Sequence, residues 1–226
     1  MRESFVTLLL GGLPWRRIHT VQEALPFGPE SVLGRTLRAY QEAGAKKIVL
    51  ATGPRTLALE GAIRPHLDRV EWVEVTEAES TLTPVLTAGV RALGSVEHPI
   101  AVGFADMPLL TGELIGRLAG AFRTSGRPIG VPLCQNQLGH PVFFLPQLRG
   151  ELARLIAPAT HRDLILRRGE EVEVIETPFT AVLRAIEGLP EYREMLVLAG
   201  LPVTAVAGVT DAAEQGAAPA DLEGRF

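Results

Sequence analysis

The sequence predicts an α/β fold in three layers, a mostly parallel mixed sheet with helices on both faces. Three observations predict it. Short apolar runs alternate with stretches of helical spacing along most of the chain, the pattern of strand–helix–strand units joined by right-handed crossovers. The first apolar run ends in a Gly11-Gly12 pair. The run at 99–102 leads through Gly103-Phe-Ala to a lone acid, Asp106. Open α/β sheets gather their ligand chemistry at such strand ends.

Each element can be justified in turn. Residues 4–10 read as a strand buried on both faces, because the run is almost wholly apolar. A loop rich in Gly, Pro and Arg follows, from Gly11 to Gly28. Val32–Ala43 sets Val32, Leu33, Thr36, Leu37 and Tyr40 at helical spacing, and Gly44 stops it. Residues 47–51 form a second buried strand closed by Thr52-Gly-Pro. A helix over 57–66, a strand over 70–75 and a helix over 84–93 ending at Gly94 come next. The Asp106 strand covers 100–103, and Thr111 caps the helix over 113–122. Strands at 128–133 and Val142–Phe144, helices at 146–156 and 160–168, and a strand at 172–175 complete the alternation. Residues 181–186 are strand-like. No repeat or linker divides the chain, so residues 1–200 are expected to form one domain and 201–226 a loose tail.

Composition narrows the function classes. A chain of 226 residues suits a single α/β unit, and 46% apolar against 21% charged residues supports a sizeable core. The net charge of −4 weighs against a nucleic-acid polymer or an anionic membrane as partner. No basic cluster with interleaved aromatics appears. The first apolar run is too short for a signal peptide and no window approaches a membrane span, so the expectation is a cytoplasmic protein. Cys134 is the single cysteine, which leaves no intrachain disulfide and no cysteine-based zinc cluster. It reads as a buried, inert thiol.

Two places carry candidate chemistry. Asp106 lies at a strand end before a Pro, where it either caps a turn or offers one carboxylate to a divalent cation, most often Mg²⁺. Gly11 and Gly12, after Leu10, either make a tight turn or let the backbone approach a ligand closely. Arg16 and Arg17 carry forked donors that match anionic oxygens. The loop is neither a dinucleotide fingerprint nor a P-loop, because no third glycine opens a helix and no Gly-Lys-Ser/Thr follows.

The residues at these places resemble the MobA-like nucleotidyltransferases, which include molybdenum-cofactor guanylyl- and cytidylyltransferases. That family opens with a strand and a loop of the form Leu-Ala-Ala/Gly-Gly-x-Ser-x-Arg-Met-Gly-x-x-Lys, then Leu-Leu-Pro and a helix. Here stand Leu9-Leu-Gly-Gly-Leu-Pro-Trp-Arg16, then Ala24-Leu-Pro26-Phe-Gly and a helix with Leu33-Gly-Arg-Thr-Leu37. The family's Gly-Asp-x-Pro is similar to Ala105-Asp-Met-Pro108. Its Gly-His-Pro-Val-Phe/Leu-Phe is matched by Gly139-His-Pro-Val-Phe-Phe144, and a later Gly-Ala-Arg-x-Leu-Leu resembles Thr160-His-Arg162-Asp-Leu-Ile. The closing Asp-Ile-Asp-Thr-Pro-Glu-Asp-Tyr is similar to Ala185-Ile-Glu187-Gly-Leu-Pro190-Glu-Tyr192. The segments run in the family's order from about residue 4 to about residue 200.

The resemblance implies a three-layer Rossmann-like nucleotidyltransferase fold of the kind shared with nucleotide-diphospho-sugar transferases and GT-A enzymes. It also implies one chemistry: a phosphate oxygen of an acceptor attacks the α-phosphorus of a nucleoside triphosphate and expels pyrophosphate. Asp106 and Glu187 would hold Mg²⁺, with Glu176-Thr-Pro178 a competing match for the second carboxylate. Arg16 would act with Asp106 in catalysis. Leu10, Gly11, Gly12, Arg16, Arg17 and Thr83 would line the nucleotide, and Gly139 and His140 the acceptor. The loop departs from the family at its lysine, whose place near Val21 or Gln22 holds no cation. Two functions therefore follow: a CTP- or GTP-dependent transferase acting on a molybdopterin-like, sugar or isoprenoid-precursor phosphate, or a nucleotide-binding or scaffolding protein of the same fold. Either would be a monomer or homodimer.

Several residues keep a plainer reading beside these roles. Thr83 also fits a helix N-cap, and His140 a hydrogen bond within a turn. Trp15 fits a cover for the core edge as well as a stack on a base. Arg167 and Arg168 end a helix, where cations suit the dipole.

Overall fold

The structure, a computed structural model, describes residues 4–12, 21–54, 57–76 and 81–203. β1 (Phe5–Gly11) is buried along its whole length. A 3₁₀ turn over Gln22–Ala24 then leads to a small hairpin, β2 (Pro26–Phe27) and β3 (Glu30–Ser31). α1 (Val32–Ala43) starts with the Ser31 hydroxyl accepting from the Gly34 amide and stops at Gly44 in the left-handed region. β4 (Ala45–Thr52), α2 (Leu57–Ile63), β5 (Glu71–Glu74), α3 (Leu82–Ala92), β6 (Ile100–Phe104) and α4 (Gly112–Ser125) continue the alternation. β7 (Ile129–Cys134) makes a short hairpin with β8 (Gln137–Leu138), and β9 (Val142–Phe144) returns to pair antiparallel with β7. α5 (Arg149–Leu152), α6 (His161–Arg167), β10 (Val172–Glu176) and α7 (Leu189–Leu198) follow.

The large sheet has the order β10-β7-β9-β6-β1-β4-β5, with β8 on β7. β1 lies between β4 and β6 and is parallel to both, as expected for strands in these positions. β9 alone reverses along this path, running antiparallel to both β6 and β7. The parallel strands therefore share a carboxyl end, where Gly11 pairs with Thr52 and Leu10 with Phe104.

Alternate residues of a strand face opposite sides of the sheet, and β1 uses both. Gly89 of α3 lies over Leu8, and a Cβ there would collide with the leucine. On the other face Gly103, beside Leu9, accommodates the buried Tyr40 hydroxyl of α1. Helices thus cover both faces. Burial raises the Tyr40 phenol well above its ordinary pKa and keeps it neutral. A second apolar cluster joins Leu25, Phe27 and Val32 to Ile186, Leu189, Tyr192, Met195 and Leu196. It clamps the late segment 186–201 against the first hairpin, and the Tyr192 hydroxyl donates to the Pro26 carbonyl across it.

Some expectations need correction. Residues 181–186 are no strand: a 3₁₀ turn covers Thr180–Leu183, and the segment docks by its main chain rather than in the sheet. The helix expected over 146–156 is a 3₁₀ turn over Pro146–Leu148 followed by the single turn of α5. α7 is an addition, opened by Pro190 in its first turn and burying Leu189, Tyr192, Met195 and Leu196. The β7–β8 hairpin turns on Gln135 and Asn136, both at positive φ, without the glycine that advertises such turns. Leu201 packs on the second cluster, and the rest of the expected tail, 204–226, lies outside the described residues. Among the described residues no helix is long and apolar enough to cross a membrane.

Candidate active site

The carboxyl end of the sheet collects the glycine loop and Asp106. The Leu10 carbonyl accepts from the Ala105 amide at 2.9 Å, fixing the end of β1 against the turn that carries Asp106. Gly12 has φ +60°, a conformation that disfavours any side chain. Its neighbour across the strand pair is Gly53, where a Cβ would lie 2.6 Å from the Gly12 carbonyl oxygen. The Gly12 amide donates to the Glu23 carboxylate at 2.7 Å. Glu23 is only 2% exposed.

Asp106 is 1% exposed. Its carbonyl accepts from the Ile186 amide at 3.2 Å, so Glu187 follows directly on a residue bonded to Asp106. Glu187 is partly exposed. The competing acid, Glu176, is exposed at the end of β10, the outermost strand. The geometry therefore brings Glu187, and not Glu176, to the Asp106 main chain. The pair offers only carboxylate oxygens, a donor set that suits a hard divalent cation. Among the described residues no group of three or more His, Cys, Asp or Glu could hold a metal. A cation here would complete its shell with water and ligand oxygens, as Mg²⁺ commonly does.

The Gly139-His140 segment braces this junction. The Gly139 amide donates to the Pro132 carbonyl and the His140 amide to the Val182 carbonyl, each at 2.8 Å. A Cβ at 139 would lie 2.6 Å from the Val182 carbonyl oxygen, so glycine is required for the 182–187 segment to dock. The His140 ring stands edge-on to Phe104 at 4.7 Å and lies 5.6 Å from His161. Burial, then the neighbouring His161, pushes His140 well below the ordinary histidine pKa, against a raising hydrogen bond with the Val102 backbone. Burial lowers His161 to about 4, opposed by the Asp163 charge. Both rings are neutral near pH 7.

Thr83 is buried and its hydroxyl donates to the Ala159 carbonyl at 2.9 Å, tying α3 to the segment before α6. The N-cap position belongs to Thr81. Arg168 does more than end a helix, since it pairs with Glu151 and Glu171, each at 2.6 Å. Cys134 is buried at the end of β7. Trp15, Arg16 and Arg17 lie outside the described residues. The two lysines of the chain, Lys46 and Lys47, stand at the start of β4. Five residues of strand, about 16 Å, separate Lys47 from the Gly11 end, and its ammonium is engaged with Glu71 and the Ala92 carbonyl. No lysine substitutes for the one missing from the loop.

Two participants were not foreseen. Glu23 follows the position where the family's lysine is expected, and its acidic character was the available signal. His161 was visible only as part of Thr160-His-Arg162, and nothing in the sequence paired it with His140.

A mixed, mostly parallel sheet with helices on both faces, and a glycine pair and a strand-end carboxylate at one end, is that of an α/β nucleotidyltransferase fold. The chain belongs to the family of the MobA-like NTP transferase domain, which it matches over residues 8–173. Among solved structures, Rv0371c from Mycobacterium tuberculosis H37Rv superposes with a TM-score of 0.69 at 23% identity, covering 87% of this chain and 99% of that one. The same mycobacterial protein has also been solved in complex with manganese. A nucleotidyl transferase from Methanothermobacter thermautotroptrophicus gives 0.68 at 18% identity, with 84% and 95% covered. The 4-diphosphocytidyl-2C-methyl-D-erythritol synthase of Anaerococcus prevotii gives 0.66 at 14% identity, with 87% and 99% covered. At these identities the likeness is one of fold. A comparison with curated proteins finds no match.

Proposed function

We infer that this chain transfers a nucleotidyl group from a nucleoside triphosphate, CTP or GTP, to a small phosphorylated acceptor and releases pyrophosphate. The observation that carries this reading is the Ile186–Asp106 main-chain bond. Glu187 follows a residue bonded to the Asp106 main chain, at the sheet end that also carries Gly11 and Gly12, which supports the two acids acting together. Family membership supports the reaction class. The acceptor we favour is a molybdopterin-like phosphate. An isoprenoid-precursor phosphate or a sugar phosphate is the alternative acceptor, the former in keeping with the fold shared with a 4-diphosphocytidyl-2C-methyl-D-erythritol synthase.

The chain's own residues have defined tasks in this reaction. Gly11 and Gly12 carry no side chain, so a triphosphate can approach their amides closely. Arg16 and Arg17 would supply forked cations to the phosphates and offset the charge that grows on departing pyrophosphate. Asp106 and Glu187 would hold a divalent cation, Mg²⁺ or Mn²⁺, which supplies charge neutralisation at the phosphoryl oxygens. Gly139 and His140 shape the acceptor side, His140 as a neutral buried wall. Most of the rate would come from positioning, with little covalent work for the protein. The protein would work as a cytoplasmic monomer or homodimer, with residues 1–200 as the catalytic domain.

Thermal melts with Mg²⁺ and each of CTP, GTP, UTP and ATP test the binding, because a ligand of the native state raises the melting temperature. One or two triphosphates should stabilise the parent, and Asp106→Asn should remove that shift while still melting cooperatively. Pyrophosphate release in the presence of phosphorylated acceptors tests turnover. No shift with any triphosphate refutes the reading. A shift without turnover on any acceptor leaves a nucleotide-binding protein of the same fold, a role favoured by the missing lysine.

A further inference from the structure

The glycine loop is already occupied. The Gly12 amide, a donor placed where a phosphate oxygen would bind, instead donates to Glu23 Oε1 at 2.7 Å. That oxygen is wedged tightly. A Cβ added to Gly11 would lie 2.8 Å from it and 2.9 Å from the Cβ of Ala105, the residue before Asp106. The carboxylate and the Ala105 side chain therefore both crowd the space beside Gly11.

Its other oxygen is poorly served. Glu23 Oε2 is buried with no hydrogen-bond partner, and among the described residues no cation pairs with Glu23. Burying a charged oxygen without partners is costly. The same 3₁₀ turn carries a second uncompensated group, the buried Nε2 of Gln22. An element with two unsatisfied polar atoms loses little by moving, and it gains if a better set of partners arrives.

We propose that Glu23 is an internal stand-in for the triphosphate: its carboxylate holds the Gly12 amide until nucleotide displaces it, and so sets how tightly the loop takes an anion. This rests on the nucleotide reading of the loop given above. The charge logic inverts that of a lysine-bearing loop. A lysine attracts the triphosphate, whereas Glu23 must leave the amide before a phosphate can bind and repels the phosphate while it stays. A ligand presenting fewer negative charges to the loop suffers less from this competition. Glu23 therefore sets selectivity as well as affinity, favouring triphosphate whose charge is already offset by a bound cation over free triphosphate.

The test is calorimetric titration of parent, Glu23→Gln and Glu23→Ala with CTP and GTP, each with and without Mg²⁺. Glu23→Gln keeps the size and the acceptor for the Gly12 amide while removing the charge. Glu23→Ala removes the occupant. Both should bind Mg²⁺–triphosphate about tenfold or more tightly than the parent, a change of about 1.4 kcal/mol or more. Their preference for Mg²⁺–triphosphate over free triphosphate should be smaller. A parent that binds as tightly as both variants, or more tightly, overturns the role of Glu23 and leaves the nucleotide reading intact. Cooperatively folded proteins that all fail to bind overturn both. Should the variants not fold, the parent still decides the question. The ¹⁵N–¹H resonance of Gly12 should shift on addition of Mg²⁺–triphosphate as its acceptor changes from carboxylate to phosphate. Binding that leaves this resonance in place overturns the proposal.

Discussion

The glycine loop and the Asp106 junction lie at the same end of one sheet, yet their polar groups are satisfied differently. At the junction, main-chain bonds do the bracing. Ile186 donates to Asp106, His140 to Val182 and Gly139 to Pro132, and an apolar cluster around Tyr192 holds the late segment down. At the loop, a single carboxylate from a short 3₁₀ turn fills the Gly12 amide and leaves its second oxygen without a partner. The contrast teaches where each half draws its precision. The half proposed for the cation is held by main-chain bonds and the core, while at the half proposed for the phosphates one side chain, Glu23, holds the Gly12 amide. Changes at the junction should therefore act through stability and cation binding together. Changes at the loop should act on nucleotide affinity alone.

The sharpest way to break that contrast is Gly139→Ala. Its Cβ meets the Val182 carbonyl oxygen at 2.6 Å and the Val182 side chain at 2.8 Å, so backbone must give. Such overpacking costs roughly 1–3 kcal/mol. Urea denaturation should show that loss, and Mn²⁺ affinity should fall with it because the displaced segment carries Glu187. Stability loss with unaltered Mn²⁺ affinity would separate the two and break the comparison.

A smaller effect distinguishes the two candidate acids. Glu187→Gln should weaken Mg²⁺-dependent triphosphate binding by about tenfold, near 1.4 kcal/mol. Glu176→Gln, at the end of the outermost strand, should leave it unchanged. Titration of the two variants against the parent gives the answer, and the reverse ranking would move the second carboxylate to β10.

A pH-dependent effect concerns the histidines behind β6. His161 has a pKa of about 4 in the fold against 6.5 when exposed, and His140 is shifted in the same direction. Between those values the unfolded chain binds more protons than the folded one. Stability is therefore complete above about pH 6.5 and declines as the pH falls, by on the order of 1 kcal/mol per pH unit for each histidine. Denaturation at about pH 7 and about pH 5 should show the decline in the parent and a shallower one in His161→Phe. Equal slopes would place the acid sensitivity elsewhere.

The same contrast explains how far the sequence could be read. β1, β4 and β6 were legible because parallel strands buried on both faces must be continuous apolar runs, and Asp106 stood out at the end of one. Gly139 was legible as part of a motif, although its reason, the Val182 carbonyl, belongs to a segment forty residues later. Only its flanking residues favour Glu187 over Glu176, which stays a competitor because it too precedes a proline-bearing segment. The Ile186–Asp106 bond that separates them is a long-range main-chain contact with no local signature. Residues 181–186 look like a strand because they are mostly apolar, but their main chain is taken up at the carboxyl end of the sheet, where Val182 accepts from His140 and Ile186 donates to Asp106, and not along a strand edge. Glu23 was hidden because acids next to a loop are ordinarily solvated. Only the fold shows its carboxylate turned onto the Gly12 amide.

Asp106 and Glu187 are proposed to form a cation site at the edge proposed to receive the triphosphate. Crystals soaked with Mn²⁺ and CTP or GTP, measured at the manganese absorption edge, test it most directly. An anomalous peak is expected within coordination distance of carboxylate oxygens of both Asp106 and Glu187, with triphosphate density reaching from it to Gly11 and Gly12. A manganese peak on Glu176 or elsewhere, with no density at the glycine loop, would contradict it.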